Sequence, residues 1–234
     1  MSDRELGRVA ALWRYPVKSM AAEALDEVEV SWHGFSGDRR WAFVRDGLER
    51  SGFPWLTIRE RAEMWRYRPS FADPSSPDRS AAVVRTPDGR DLDVIDPELA
   101  RELGPGVRVI KQDRGVFDVS PLSLTTTQSV AAIGELVGES LGPERFRPNV
   151  LIEAAGAAPF TEDEWVGSEL QIGSARIRVD LRDERCVIAN VDPSTTERNA
   201  AVLKAIARER DACLGVYAST VRPGKVAVGD AVLR

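Results

Sequence analysis

Histidine is nearly absent from this chain. His33 is the only one in 234 residues, which leaves a histidine-based triad or a histidine-rich metal site almost no material. Cysteine is scarce as well: Cys186 and Cys213 are too few for a thiolate zinc site or an iron–sulfur cluster, and in a reducing compartment they do not imply a disulfide. No apolar run approaches the roughly 18 residues a membrane span needs. The opening stretch MSDRELGRVAALWRYPVKSM lacks the apolar core of a signal peptide and carries acidic residues that transit peptides avoid. These absences predict a cytoplasmic protein that does not use a membrane. Positive charge is also in deficit, 32 Lys and Arg against 37 Asp and Glu for a formal charge of −5, which argues against nucleic acid as a partner. No glycine-rich dinucleotide fingerprint follows a strand.

What is present is ordinary globular material, 43% hydrophobic and 29% charged, sufficient to bury a core without disulfides or structural metals. Alternating apolar and polar positions predict strands over Leu6–Trp13 and Leu25–Val30, and Trp41–Val44 suits a pleated surface. Ala82–Thr86 and Leu92–Ile95 flank Pro87-Asp88-Gly89-Arg90, a hairpin signal. Pro97–Leu103 reads as a short helix, ended by Gly104-Pro105-Gly106, and Val107–Ile110 resumes a strand.

From about Asp113 the pattern changes. Val130, Ile133 and Leu141 at helical spacing predict a helix over Thr127–Leu141, closed by Gly142-Pro143. Val150–Ile152 reads as a buried strand, and Leu170–Val179 alternates about a Gly173-Ser174 turn. Ser194-x-x-Glu197 resembles a capping box and predicts a second helix running to about Asp211. Two short strands close the chain between Pro223 and Leu233. Many short strands with few helices point to a β-rich α+β fold, plausibly a barrel, divided near residue 113 into segments 1–112 and 113–234.

Four segments concentrate chemistry. Pro16-Val17-Lys18-Ser19 places a cation and a hydroxyl at a strand end; Gly37-Asp38-Arg39-Arg40 places guanidinium groups beside a glycine turn. Arg145-Phe146-Arg147-Pro148-Asn149 adds two arginines and an amide, and Asp183-Glu184-Arg185-Cys186 sets a thiol directly after an arginine. Cations held in turns are what phosphate recognition uses, because the guanidinium fork takes two oxygens at once. A thiol near fixed cations favours its thiolate, which suits a soft metal or a nucleophile. The same residues would also suit surface ion pairs and a small buried hydrophobe, so spacing alone leaves both readings open.

The order of these segments carries a resemblance. Tyr15-Pro16-Val17-Lys18-Ser19-Met20 and Gly37-Asp38-Arg39-Arg40-Trp41 resemble the N-terminal β-barrel region found ahead of MOSC domains, the molybdenum-cofactor sulfurase C-terminal domains. Phe146-Arg147-Pro148-Asn149-Val150, Trp165 with Leu170-x-Ile172-Gly173, Arg185-Cys186, Asn190-Val191-Asp192-Pro193 and the terminal Pro223-Gly224-x-Val226-x-Val228-Gly229-Asp230 resemble the MOSC domain itself. The likeness implies a MOSC β-barrel with flanking helices, packed against an N-terminal β-barrel-like subdomain. It also implies a molybdenum–pterin cofactor. Lys18, Ser19, Arg39, Arg147 and Asn149 would hold that cofactor, with Arg145, Ser120 of Asp118-Val119-Ser120-Pro121, and Arg185 beside them. Cys186 would ligate molybdenum and, with Asp192, serve catalysis. The family likeness also carries an expectation of pyridoxal phosphate binding.

Similarity to the amidoxime-reducing components and their bacterial counterparts implies reduction of small N-hydroxylated or N-oxygenated substrates. Electrons would then come from a separate ferredoxin- or cytochrome b5-like protein with its own reductase. Two alternatives stay open: a sulfur carrier with a persulfide on Cys186, and a cofactor-binding protein without turnover.

Overall fold

A computed structural model describes residues 4–48 and 50–234. The first segment supplies β1 (Glu5–Arg14), β2 (Glu23–Leu25), β3 (Glu27–Ser31), β4 (Gly34–Phe35) and β5 (Trp41–Val44). It continues with β6 (Arg68–Phe71), β7 (Ala82–Arg85), β8 (Asp91–Asp93), α1 (Pro97–Leu103) and β9 (Arg108–Lys111). The remainder forms β10 (Leu122–Thr126), α2 (Thr127–Val137), β11 (Val150–Ala154), β12 (Glu169–Ile172) and β13 (Ala175–Glu184). It ends with α3 (Ala200–Arg210), β14 (Cys213–Arg222), β15 (Gly224–Ala227) and β16 (Ala231–Leu233).

Seven strands close a barrel in the order β11-β10-β14-β13-β12-β16-β1, and β1 pairs back onto β11. Closure removes the open edges that an isolated sheet would expose. The chain's first strand is therefore a stave of a barrel whose other staves lie between Leu122 and Leu233. A register shift between Val9 and Ala11, and three more along β13–β14, supply the extra twist that closure needs. Inward residues such as Val9, Leu12, Leu124, Ile152, Leu170, Ile177 and Val216 fill the interior.

A second core, built around Val17, Phe43, Ile58, Met64, Trp65 and Leu99, packs the β5–β9 and β6–β7–β8 sheets. Val191, three residues beyond Ile188, joins this core from the far half of the chain. A third cluster sets Val130 and Ile133 of α2 against Val202 and Ile206 of α3 and against Phe146 and Leu214. The segment carrying Cys186 lies where these cores meet.

Three sequence expectations are corrected. Leu25–Val30 is not one strand: it breaks at Asp26, so that β2 pairs with β1 while β3 pairs with β15 and β4. The helix from Thr127 stops at Val137 rather than Leu141, because Gly138 takes a left-handed cap (φ 74°) and its N–H donates to the Gly134 and Glu135 carbonyls. The second helix begins at Ala200 under Asn199, not after Ser194. The capping box fails because Asp192 captures that turn first: its carboxylate accepts from Ser194 N at 2.8 Å, Thr195 N at 3.0 Å and the Ser194 hydroxyl.

Candidate functional site

The turn after β1 carries Lys18 and Ser19. Lys18 N donates to Trp41 O at 2.8 Å, and Arg39 N donates to Tyr15 O at 2.7 Å, so two segments some twenty residues apart are stitched side by side. Asp38, fully buried, holds them together: its carboxylate accepts from Tyr15 N at 2.7 Å, from Asn149 Nδ2 at 3.1 Å and from Arg39 Nη1. Arg145 and Arg147 arrive from the short turn Pro143–Phe146 ahead of β11, and Cys186 from the end of β13.

These pieces surround one cavity of about 300 Å³. Lys18, Ser19, Arg39, Ser120, Arg145, Arg147, Asn149, Arg185 and Cys186 all line it. Six cationic side chains face it against three acidic ones, in a protein whose formal charge is −5. The concentration of positive charge is local.

The backbone at this cavity is strained. Of seven non-glycine residues with positive φ among the described residues, Ser19 (66°), Arg39 (50°) and Arg147 (54°) all line it. Such conformations cost about 1–3 kcal/mol each and persist where surrounding structure enforces them, which points to function. Arg147 is clamped between the Tyr15 ring at 4.1 Å and the Trp65 ring at 4.7 Å, and its Nη1 donates to Met20 O at 2.8 Å. Its Nη2 is buried with no partner.

Burial pushes the Arg147 guanidinium down to about 10, and Tyr15 and Asp38 recover only part of that loss. Burial likewise lowers Lys18, with Asp118 opposing it. Two depressed cations and an unpartnered N–H describe a site short of negative charge. The residues present therefore fit an anionic, oxygen-rich group.

The thiol side is built differently. Arg185 is held by its Nε donating to Leu214 O at 2.7 Å and its Nη1 donating to Phe146 O at 2.6 Å. Its Nη2 lies 2.8 Å from Asp183 Oδ2 but out of line for a hydrogen bond, and is otherwise buried without a partner. Gly215 permits this approach: a Cβ there would stand 2.5 Å from Leu124 O and 3.2 Å from Arg185 Nη2. Cys186 is half-buried, and its Sγ accepts a hydrogen bond from Arg59 Nη2 at 3.4 Å.

Sequence reasoning missed Arg59. It bridges Cys186 to Asp118, whose Oδ2 it meets at 3.1 Å, and its guanidinium stacks 4.9 Å from the Phe53 ring. Asp118 also accepts from Lys18, and these two cations outweigh burial to hold its carboxyl below the usual range. Thr57, Phe117, Ser123, Asp183 and Tyr217 line the cavity as well. In sequence, Arg59 reads as one of several charges in Arg59-Glu60-Arg61, with no signal to separate it.

Two expected site residues behave otherwise. Asp192 does not line the cavity. Its carboxylate is spent on the Ser194–Thr195 turn and on Arg145 Nη2 at 2.7 Å, so it positions Arg145 from outside. Asn149 lines the cavity, but its amide is consumed within the protein: Oδ1 accepts from Ser123 N at 3.1 Å, and Nδ2 donates to Trp13 O and Asp38. It organises the wall rather than offering a free group.

A closed β-barrel carries a strained, cation-lined cavity with one thiol in its lining, a set of groups suited to an anionic ligand. Comparison with known proteins sharpens that reading. The MOSC domain matches residues 111–233 and the MOSC N-terminal beta barrel domain residues 6–115. The chain belongs to the MOSC domain family.

Mitochondrial amidoxime-reducing component 1 of Homo sapiens is 24% identical over an alignment covering 98% of this chain and 83% of that protein. Component 2 of Macaca fascicularis is 30% identical over 130 residues, covering 50% of this chain and 38% of that relative. The molybdenum cofactor sulfurase of Caenorhabditis briggsae is 24% identical, with 98% of this chain matched to 36% of that protein. Among solved structures, the YUAD protein from Bacillus subtilis shares the fold (TM-score 0.54, 13% identity, 99% of this chain and 97% of that one).

Proposed function

We propose that the cavity holds a molybdenum–pterin cofactor and that the protein reduces N-hydroxylated or N-oxygenated compounds, with electrons from a separate carrier protein. The observation that carries this reading is the convergence of Lys18, Ser19, Arg39, Arg147 and Cys186, from four separate segments, on one cavity short of negative charge. The names of the relatives, amidoxime-reducing components and a molybdenum cofactor sulfurase, support it.

In this reading Lys18, Arg39 and Arg147 neutralise the anionic end of the cofactor, and Ser19 and Thr57 offer hydroxyls. Thr57 Oγ1 is buried without a partner and suits that use. Cys186 supplies a sulfur ligand, which a soft metal prefers. The bound metal supplies two-electron redox chemistry, while the protein supplies orientation and electrostatics. Arg59, which donates to the Cys186 sulfur, and Arg185, which lines the same cavity, would be the donors available to a substrate oxygen beside that sulfur.

The test is metal and pterin analysis of protein expressed with cofactor available, followed by assay with a reduced electron carrier and an N-hydroxylated substrate. Molybdenum and pterin in equal amounts, with substrate-dependent oxidation of the carrier, are expected; protein that takes up neither contradicts the reading. A sulfur carrier is the second reading, favoured by the Arg59 N–H aimed at the Cys186 sulfur. It predicts one extra sulfur on Cys186 by mass spectrometry of metal-free protein.

A further inference from the structure

The cavity wall contains a buried carboxyl group that this reading does not use. Asp183, 1% exposed, lies near the end of β13. Its Oδ2 accepts from Ser123 Oγ at 2.7 Å, while Oδ1 is buried with no partner. Tyr217 of β14 adjoins it and also lines the cavity. Two further fully buried carboxylates are different: Asp38 accepts from Tyr15 N, Asn149 Nδ2 and Arg39 Nη1, and Glu162 accepts from Thr126 Oγ1 and Ser129 Oγ at 2.9 Å; neither lines the cavity. A group with an empty oxygen on a cavity wall calls for an explanation in a way that a satisfied one does not.

The groups facing Asp183 are Arg185 on its own segment, Ser123 from β10, Tyr217 from β14 and Arg39 from the turn before β5. Burial raises the Asp183 carboxyl, and the pull of Arg185, Ser123, Tyr217 and Arg39 does not cancel that rise. Burial and the neighbouring Asp183 also raise the Tyr217 phenol, so it keeps its proton at neutral pH. An anion in the cavity pushes both further upward.

We propose that Asp183 and Tyr217 form a proton store for this cavity, supplying a proton to the substrate oxygen as the N–O bond breaks. The proposal rests on the reductase reading. Reduction of R–NH–OH to R–NH2 and water takes two electrons and two protons. The separate electron-carrier protein, of haem or iron–sulfur type, supplies both electrons. One proton passes from the Tyr217 phenol to the leaving hydroxyl oxygen, and Asp183 replaces it on Tyr217. The second proton, and the one that restores Asp183, enter from solvent at the cavity mouth.

Infrared pH titration of the ligand-free chain tests the store without any turnover. A carboxylic-acid band that Asp183→Asn removes, titrating above the ordinary aspartate value of about 3.9, is expected. Ser123→Ala deletes a hydroxyl that favours the ionised form, so it moves the titration further up; this variant carries the test if Asp183→Asn fails to fold. Folding raises this pKa, so the stability it contributes is present below the unfolded value and lost as pH rises through the folded one. Asp183→Asn therefore has the higher Tm on the alkaline side.

In cofactor-loaded protein, Asp183→Asn keeps its pterin content but loses about 100-fold in kcat, with KM within about threefold and a flattened pH profile. Titration of Asp183 in the ordinary range, or wild-type kcat and pH profile in Asp183→Asn, overturns the proposal. Loaded wild type that reduces nothing removes the reductase reading, and this proposal with it, even when the infrared band is present.

Discussion

The two walls of the cavity are made on opposite principles. The wall of Lys18, Ser19, Arg39, Arg147 and Asn149 is largely buried, with only Arg39 and Arg147 partly exposed; it has three residues in strained backbone and is cross-tied by Asp38 and the Tyr15 and Trp65 rings. The wall of Arg59, Asp118 and Cys186 is partly open to solvent, and its contacts are side chain to side chain. A rigid, desolvated wall suits permanent retention of an anion, because its groups are ordered before binding and its charges are unscreened. An open wall suits a reacting centre that must admit a substrate and release a product. On the proposed function, retention and reaction would fall to different halves of the same cavity.

Arg147 is where the buried wall is most exposed to test. Arg147→Met removes a buried charge that an anion would meet, and such truncations cost about 2–5 kcal/mol. Cofactor content should fall by two orders of magnitude or more, measured as pterin per protein after gel filtration. Retention near wild-type content would show that the buried wall does not hold the anion.

Cys186→Ala addresses the open wall. It should abolish reduction while leaving Tm nearly unchanged, since a half-exposed side chain with one hydrogen bond contributes little to stability, within about 0.5 kcal/mol. Calorimetry and the carrier-oxidation assay check the two halves of that statement.

Asp118→Asn sharpens the contrast more gently. It removes the counter-charge shared by Lys18 and Arg59, so anion affinity should rise several-fold at low salt and the gain should shrink as salt screens the site. Because folding depresses the Asp118 pKa, its contribution to stability is present above the unfolded carboxylate range and lost as pH falls through the folded value. The variant should accordingly show a shallower loss of Tm on acidification. The smallest effect belongs to Asp192→Asn, which loosens an ion pair outside the cavity; kcat and cofactor content should stay within about threefold of wild type.

Much of this was legible in the sequence, and the failures have physical causes. Lys18, Arg39 and Cys186 stand out because each follows a strand end or glycine turn, and Arg147 because it sits in a turn just ahead of a buried strand, where charge has a reason to be fixed. The β1 strand and the Gly173-Ser174 hairpin could be found from strict alternation. β10 and β14 could not: Leu122–Thr126 is buried throughout and shows no alternation, and β14 is bulged against β13. Arg59 escaped because its role is made by tertiary contact with Asp118 and Cys186, 59 and 127 residues away. Asp192 shows the converse: near Cys186 in sequence, it stands outside the cavity lining because its carboxylate is held by the Ser194–Thr195 turn and Arg145.

The central claim is that the buried wall holds an anionic metal cofactor whose metal is bound by Cys186. Molybdenum and pterin measured together in purified wild type, Arg147→Met and Cys186→Ala test it most directly. Both components are expected in wild type, neither in Arg147→Met, and pterin with diminished molybdenum in Cys186→Ala. Wild-type protein devoid of both after expression with cofactor available, or a Cys186→Ala variant with undiminished molybdenum, would contradict it.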